Sequence, residues 1–162
     1  MIVVADTSPL NYLVRSGFAW VLPELFGRVL IPNAVRSELM HARAPVEVRD
    51  FAACPPSWLE CVEVISDFEG FGRQLGAGER EAIILALEIS ADVILIDDLA
   101  GRVEATARGI SARGTLAVLL QAGIRGDLDF RVALARIKDL GFRTTPELER
   151  DMFEQYERNL KP

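Results

Sequence analysis

The chain opens with four consecutive apolar residues, Ile2-Val3-Val4-Ala5, that run without a break into an acid, Asp6. An unbroken run of small and β-branched side chains reads as a strand covered on both faces, the kind found inside a parallel sheet. Thr7-Ser8-Pro9 follows. Thr7 or Ser8 suits a helix N-cap, and Pro9 suits a first turn, where a missing N–H costs nothing. Asp6 is thereby expected where a central strand ends and a helix begins, at the carboxyl edge where open α/β sheets bind ligands. A carboxylate there has two readings, a cap or salt bridge on one side and a metal ligand on the other. Its companions must decide between them.

The rest of the chain alternates strands with helices. Further strands are predicted over 28–31, 58–65, 92–97 and 110–113. The segment 58–65 alternates apolar and polar residues and reads as a less buried strand, at an edge. Helices are predicted from Leu10 to Gly17, over 18–26 with Pro23 as a break or kink, and over 33–42 and 46–53. A weak helix is predicted over 66–75, then a turn at 76–78. Strong or short helices follow over 79–90, 101–108 and 115–121, the last ended by Gly123. Amphipathic helices over 127–140 and 146–160 finish the chain. Such alternation argues for a parallel sheet covered on both faces. Right-handed crossovers then bring every strand's carboxyl end to one edge. The expected fold is a three-layer α/β/α sandwich forming a single domain over 1–162. Its core runs to about residue 123, and 124–162 form a C-terminal helical extension.

Composition narrows the function. At 162 residues the chain is long enough for one domain with a real core. Half the residues are apolar and the mean hydropathy is +0.20, which suggests a large core or an apolar surface covered by a partner. No apolar run reaches membrane-spanning length. Met1 leads directly into the first strand, so no signal peptide is expected, and a cytoplasmic protein is. Cys54 and Cys61 match no zinc spacing and are expected as reduced thiols. With His41 the only histidine, a histidine-rich metal site within one chain is excluded. The formal charge of −6 disfavours nucleic-acid binding, although clustered acids holding cations, with a local strip of Arg102, Arg108 and Arg113, would offset it.

Several acids are hard to read as surface decoration. Asp6 ends the first strand, and Asp97 and Asp98 end the most apolar late one. Glu38 shares a helix face with Ala34, Val35 and Leu39. Glu79 opens the strong helix on the face of Ala82, Ile83 and Ala86, whereas Glu81 is turned off that face, toward solvent. Clustered carboxylates raise one another's pKa unless a cation joins them. Mg²⁺ and Mn²⁺ prefer such oxygen ligands, and sites of this kind suit phosphoryl chemistry. Taken singly, Glu79 also reads as a charge favoured at a helix N-terminus, and Asp97-Asp98 as a helix cap.

Four segments occur in order: Val4-Ala5-Asp6-Thr7-Ser8-Pro9-Leu10, Ile31-Pro32 to Glu38-Leu39, Gly78-Glu79-Arg80-Glu81-Ala82-Ile83, and Leu95-Ile96-Asp97-Asp98-Leu99-Ala100-Gly101-Arg102. Over residues 2–123 this order resembles the PIN-domain superfamily, closest to a prokaryotic branch related to toxin ribonucleases. The resemblance implies the three-layer fold and a Mg²⁺- or Mn²⁺-dependent ribonuclease acting on single-stranded RNA, often the toxin of a toxin–antitoxin pair. It implies Asp6, Glu38 and Glu79 as the first three acids of the site and Asp97 or Asp98 as the last. Relatives usually carry aspartate where Glu79 stands, and Thr-x-Asp where this chain has Ile96-Asp97-Asp98. Ser8 matches the small hydroxyl residue near the first acid. Arg102, one turn beyond Asp98, either contacts substrate phosphate or neutralises the acids. An RNA substrate, a homodimer and a small antitoxin are the expected partners.

Three rival readings compete. A phosphoacceptor signalling domain carries its paired acids after the first strand and a lysine after the last; here the pair comes late, and the lysines, Lys138 and Lys161, lie far down the C-terminal helices. A phosphatase with an aspartate nucleophile needs a second aspartate two residues on, where this chain has Ser8. A catalytically inactive PIN-like module for nucleic-acid binding or protein interaction keeps the same acids.

Overall fold

The computed structural model describes residues 1–160; Lys161, expected on the last helix, lies outside the described residues. At its centre is β1 (Val3–Ala5), whose three side chains are fully buried. β2 (Val29–Pro32), β3 (Leu59–Val62), β4 (Val93–Leu95) and β5 (Ser111–Arg113) complete a five-stranded sheet in the order β3-β2-β1-β4-β5. Every neighbouring pair is parallel, with Val4 in register with Leu30 on one side and Ile94 on the other. The chain steps outward from β1 through β2 to β3, then returns to the far side of β1 to begin β4. The point where strand order reverses therefore lies between β1 and β4, and their carboxyl ends carry Asp6 and Asp97.

Among the described residues nine helices flank this sheet as a three-layer α/β/α sandwich: α1 (Thr7–Ser16), α2 (Val21–Phe26), α3 (Asn33–Leu39), α4 (Val46–Ala53), α5 (Ala77–Glu88), α6 (Leu99–Ala107), α7 (Thr115–Arg125), α8 (Phe130–Asp139) and α9 (Pro146–Leu160). α5 packs across β2, β1 and β4 and against α3 and α6. Ala82 and Ala86 on its packed face are buried, and small side chains there let the helix approach the sheet closely. α8 and α9 pack on α7, and α8 also touches α1. Phe130, Ala133, Leu134 and Ile137 of α8 and Tyr156 of α9 are buried, whereas Val132, Leu148 and Leu160 stay exposed.

Three local expectations change. No helix forms over 66–75; the chain from residue 63 to Gly76 is irregular apart from a turn. Gly70 there adopts a φ of +83° and Ile65 is 90 % exposed, so neither backbone nor burial supports a helical turn. Gly78, expected in a turn, lies inside α5, which begins at Ala77. Gly123 does not end α7. It is buried in the helix because Phe130 and Tyr156 lie on it, where a Cβ would come within 2.9 Å and 3.1 Å of them. The helix stops at Gly126, in the left-handed conformation with φ of +84°.

Candidate metal centre at the carboxyl edge

Asp6 is 3 % exposed and occupies the position just before α1, yet its side chain makes no capping bond. The capping reading fails, because the backbone amides it would serve are not reached. Its Oδ1 is buried without any hydrogen-bond partner among the described residues. Burial raises its pKa from the usual 3.8 to about 7, against the lowering effect of the Thr7 amide; the nearby charges of Glu79, Glu38 and Asp97 raise it further. An orphaned carboxylate oxygen held among like charges is costly unless something electropositive meets it.

The other acids reach the same edge from different elements. Glu38 projects from α3 and is held at both oxygens: Oε1 accepts the Gly78 N–H at 2.8 Å and Oε2 accepts the Thr7 hydroxyl. Glu79, in the first turn of α5, accepts the Gly76 N–H at 3.1 Å, so its helix-start role is real. Burial still raises its pKa against that bond, and the charges of Asp98 and Glu38 add to the rise.

Asp97 and Asp98 part company. Asp98 Oδ1 caps α6 by accepting from Ala100 N at 2.8 Å and Gly101 N at 3.2 Å. Asp97 turns inward, accepting from Thr115 N and Oγ1, both at 2.7 Å, and from Ser8 Oγ at 3.2 Å. Burial raises its pKa, while those donors and the Arg102 charge lower it. Arg102 is itself exposed on α6.

A cleft of about 370 Å³ opens over Asp6, lined also by Thr7, Ser8, Glu38, Gly76 and Glu79, and by Asn11, Tyr12 and Arg15 of α1. Motif order did not single out these last three. Their signal was helical spacing, since positions 8, 11, 12 and 15 fall on one face. Thr115, which orients Asp97, left no sequence signal at all. The expected basic strip is reduced: Arg108 pairs with Glu104 at 2.7 Å and lies over Phe71, and Arg113 donates to Gln121. Glu81 is half-buried rather than turned to solvent, and its Oε2 accepts the Ala34 N–H at the start of α3 at 2.9 Å.

The donor set fits a hard divalent cation. It offers only oxygens, one of them buried and unpartnered, in a cleft without histidine or cysteine. Among the described residues no three acidic, histidine or cysteine side chains meet closely enough to clamp an ion by themselves. Asp6, Glu38 and Glu79 line one cleft, while Asp97 lies outside that lining with both oxygens met by Thr115 and Ser8. A Mg²⁺-type ion, which keeps several of its waters, is the kind that carboxylates spaced in this way suit.

No curated protein matches this chain. Among solved structures, it is similar to a PilT N-terminus domain protein from the hyperthermophilic archaeon Sulfolobus solfataricus P2, with a TM-score of 0.53 and 17 % identity over 75 % of this chain and 93 % of that one. At that identity the likeness speaks for the fold. A family model described as a PIN domain matches residues 2–158, running past the ordered motifs and through most of α9. With the sheet order, the acids at its carboxyl edge and this match in hand, the chain belongs to the PIN-domain family.

Proposed function

We propose that this PIN domain is a metal-dependent endoribonuclease that hydrolyses phosphodiester bonds of single-stranded RNA. PIN domains are commonly nucleases, and the observation that carries the reading here is the buried, unpartnered Oδ1 of Asp6 beside Glu38, Glu79 and Asp97. Asp6, Glu38, Glu79 and Asp97 are the residues proposed to hold Mg²⁺ or Mn²⁺; Asp98, as the cap of α6, serves as a neighbouring charge. Such an ion, when bound, supplies a water of lowered pKa and positive charge for the leaving oxygen.

The chain's own residues set that site up. Thr7 and Gly78 hold Glu38 between α1 and α5. Ser8 and Thr115 hold Asp97, and Asp6 is held at the edge between β1 and β4, 3 % exposed, on the wall of the cleft. Arg102 offers its guanidinium to substrate phosphate beside Asp97. The toxin role, a small antitoxin partner and a homodimer belong to the same proposal and rest on the family and on the high apolar fraction. Among the described residues no helix is long and apolar enough to cross a membrane.

The deciding experiment is a nuclease assay of purified protein on single-stranded RNA and DNA with Mg²⁺, Mn²⁺ or EDTA. Cation-dependent RNA cleavage, abolished in Asp6→Asn, is expected. Equal cleavage by Asp6→Asn overturns the site. RNA binding without cleavage under any cation replaces the nuclease with an inactive binding module.

A further inference from the structure

We propose that Arg15 and Tyr12 on α1 form the seat of the RNA strand beside the acids, Arg15 gripping a phosphate next to the scissile one and Tyr12 stacking on a base. This inference rests on the nuclease reading of the same cleft.

The placement comes from the helix itself. α1 starts immediately after Asp6, and Ser8, Asn11, Tyr12 and Arg15 recur along one of its faces, all lining the cleft. Ser8 and Arg15 are seven residues apart, about 10 Å along the axis. Arg15 therefore lies beyond the reacting phosphate, where the strand continues. Among the described residues it is the one cation in a cleft lining that otherwise carries Asp6, Glu38 and Glu79.

Among the described residues Arg15 forms no ion pair, although three carboxylates share its cleft. Its Nε is buried without a hydrogen-bond partner, and so is Oδ1 of Asn11, one turn back. With Nε buried, the terminal guanidinium nitrogens are the donors Arg15 presents to the cleft, and among the described residues they have no carboxylate partner. The planar fork of donors matches phosphate oxygens in pairs, and a polyanion approaching an acidic cleft needs such a cation.

Tyr12 supplies the second contact. Its ring is half-buried and is braced edge-on by Phe142, with ring centroids 4.9 Å apart and planes at 79°. Phe142 lies in the connection between α8 and α9, so the C-terminal segment fixes the ring at the cleft wall. A braced aromatic face is a stacking platform for any base and adds no sequence preference.

The test separates binding from cleavage. Anisotropy of a short, labelled single-stranded oligoribonucleotide is titrated with the full-length Asp6→Asn protein across a salt series. Asp6→Asn, Arg15→Gln is expected to bind about tenfold more weakly. Its slope of log affinity against log salt should be smaller by about 0.7, the signature of one lost phosphate contact. Arg15→Lys should restore the slope but not the full affinity. Tyr12→Leu should weaken binding about tenfold with the slope unchanged. Arg28→Gln, at the opposite end of the sheet and paired with Glu60, should change neither quantity and serves as the charge control.

If Asp6→Asn binds RNA and Arg15→Gln alters neither affinity nor slope, the inference fails while the nuclease reading stands. If Arg28→Gln lowers the slope as much as Arg15→Gln, the contact is diffuse and the inference also fails. If wild-type protein neither binds nor cleaves RNA, both readings fall together.

Discussion

Glu38 and Gly78 are fitted to each other across the α3–α5 boundary. The Gly78 N–H donates to Glu38 Oε1 at 2.8 Å, and a Cβ at residue 78 would come within 2.8 Å of that same oxygen. Glycine in the first turn of α5 leaves to the Glu38 carboxylate the space that a Cβ would take. Gly78→Ala should push the Glu38 side chain aside while gaining helix propensity. The melting temperature should stay within a few degrees, and cleavage should fall about a hundredfold, as expected for a displaced site carboxylate. A variant that melts much earlier, or that cleaves normally, contradicts this fit.

Asp6 makes the cation-free protein pH-sensitive. In the folded state its carboxyl titrates at about 7, against an ordinary value of 3.8. Between those values the folded protein keeps a proton that the unfolded chain has released. Stability therefore falls as pH rises from about 4 to about 7 and levels off above, a span worth roughly 4 kcal/mol. The raised carboxyls of Glu79 and Asp97 act in the same direction. Asp6→Asn should flatten most of this slope and raise the melting temperature well above pH 7. Mn²⁺ should stabilise the wild type there and the variant far less. Thermal melts across pH, with and without Mn²⁺, read all three effects, and an identical slope in Asp6→Asn would refute the assignment.

Glu79 and Glu81 sit two residues apart on α5 and serve different neighbours. Glu79→Gln should abolish metal-dependent cleavage and Mn²⁺ binding with the fold intact. Glu81→Gln keeps an acceptor for the Ala34 N–H and should retain most activity. Glu81→Ala leaves that amide unmet and should cost about 1 kcal/mol of stability. Calorimetric Mn²⁺ titrations and chemical denaturation separate these outcomes. Loss of Mn²⁺ binding in Glu81→Gln but not in Glu79→Gln would reverse the assignment.

Asp97 and Asp98 offer the same comparison at the end of β4. Asp98→Ala removes the cap of α6 and should cost about 1 kcal/mol while leaving most cleavage in place. Asp97→Asn should lose cleavage with little change in melting temperature, since its amide oxygen can keep the Thr115 N–H while its NH2 donates to the Thr115 and Ser8 hydroxyl oxygens, which can accept as well as donate. Equal loss of cleavage in both variants would mean that Asp98 belongs to the site as fully as Asp97.

What the sequence determined by itself was local. The run Val3-Val4-Ala5 into Asp6 specified a buried strand with an acid at its end, because a side-chain pattern needs no information from elsewhere. The ordered motifs likewise pointed to the PIN-domain family, whereas the spacing of Glu79 with Ala82, Ile83 and Ala86 did not set it apart from Glu81, because Ile84 and Leu85 on the face of Glu81 are buried as well. Three matters belonged to the tertiary structure. Motif matching could not choose between Asp97 and Asp98, adjacent and chemically identical; Thr115 and Ser8, far off in the chain, draw one inward while α6 claims the other. Gly123 looked like a helix end until Phe130 and Tyr156 were seen packed on it. The cleft wall of Asn11, Tyr12 and Arg15 became visible only once strand order put β4 beside β1 and brought α3 and α5 to face α1. A side chain's periodicity is set by its near neighbours, but its partners, its exposure and therefore its proton affinity are set by segments that only folding brings to it.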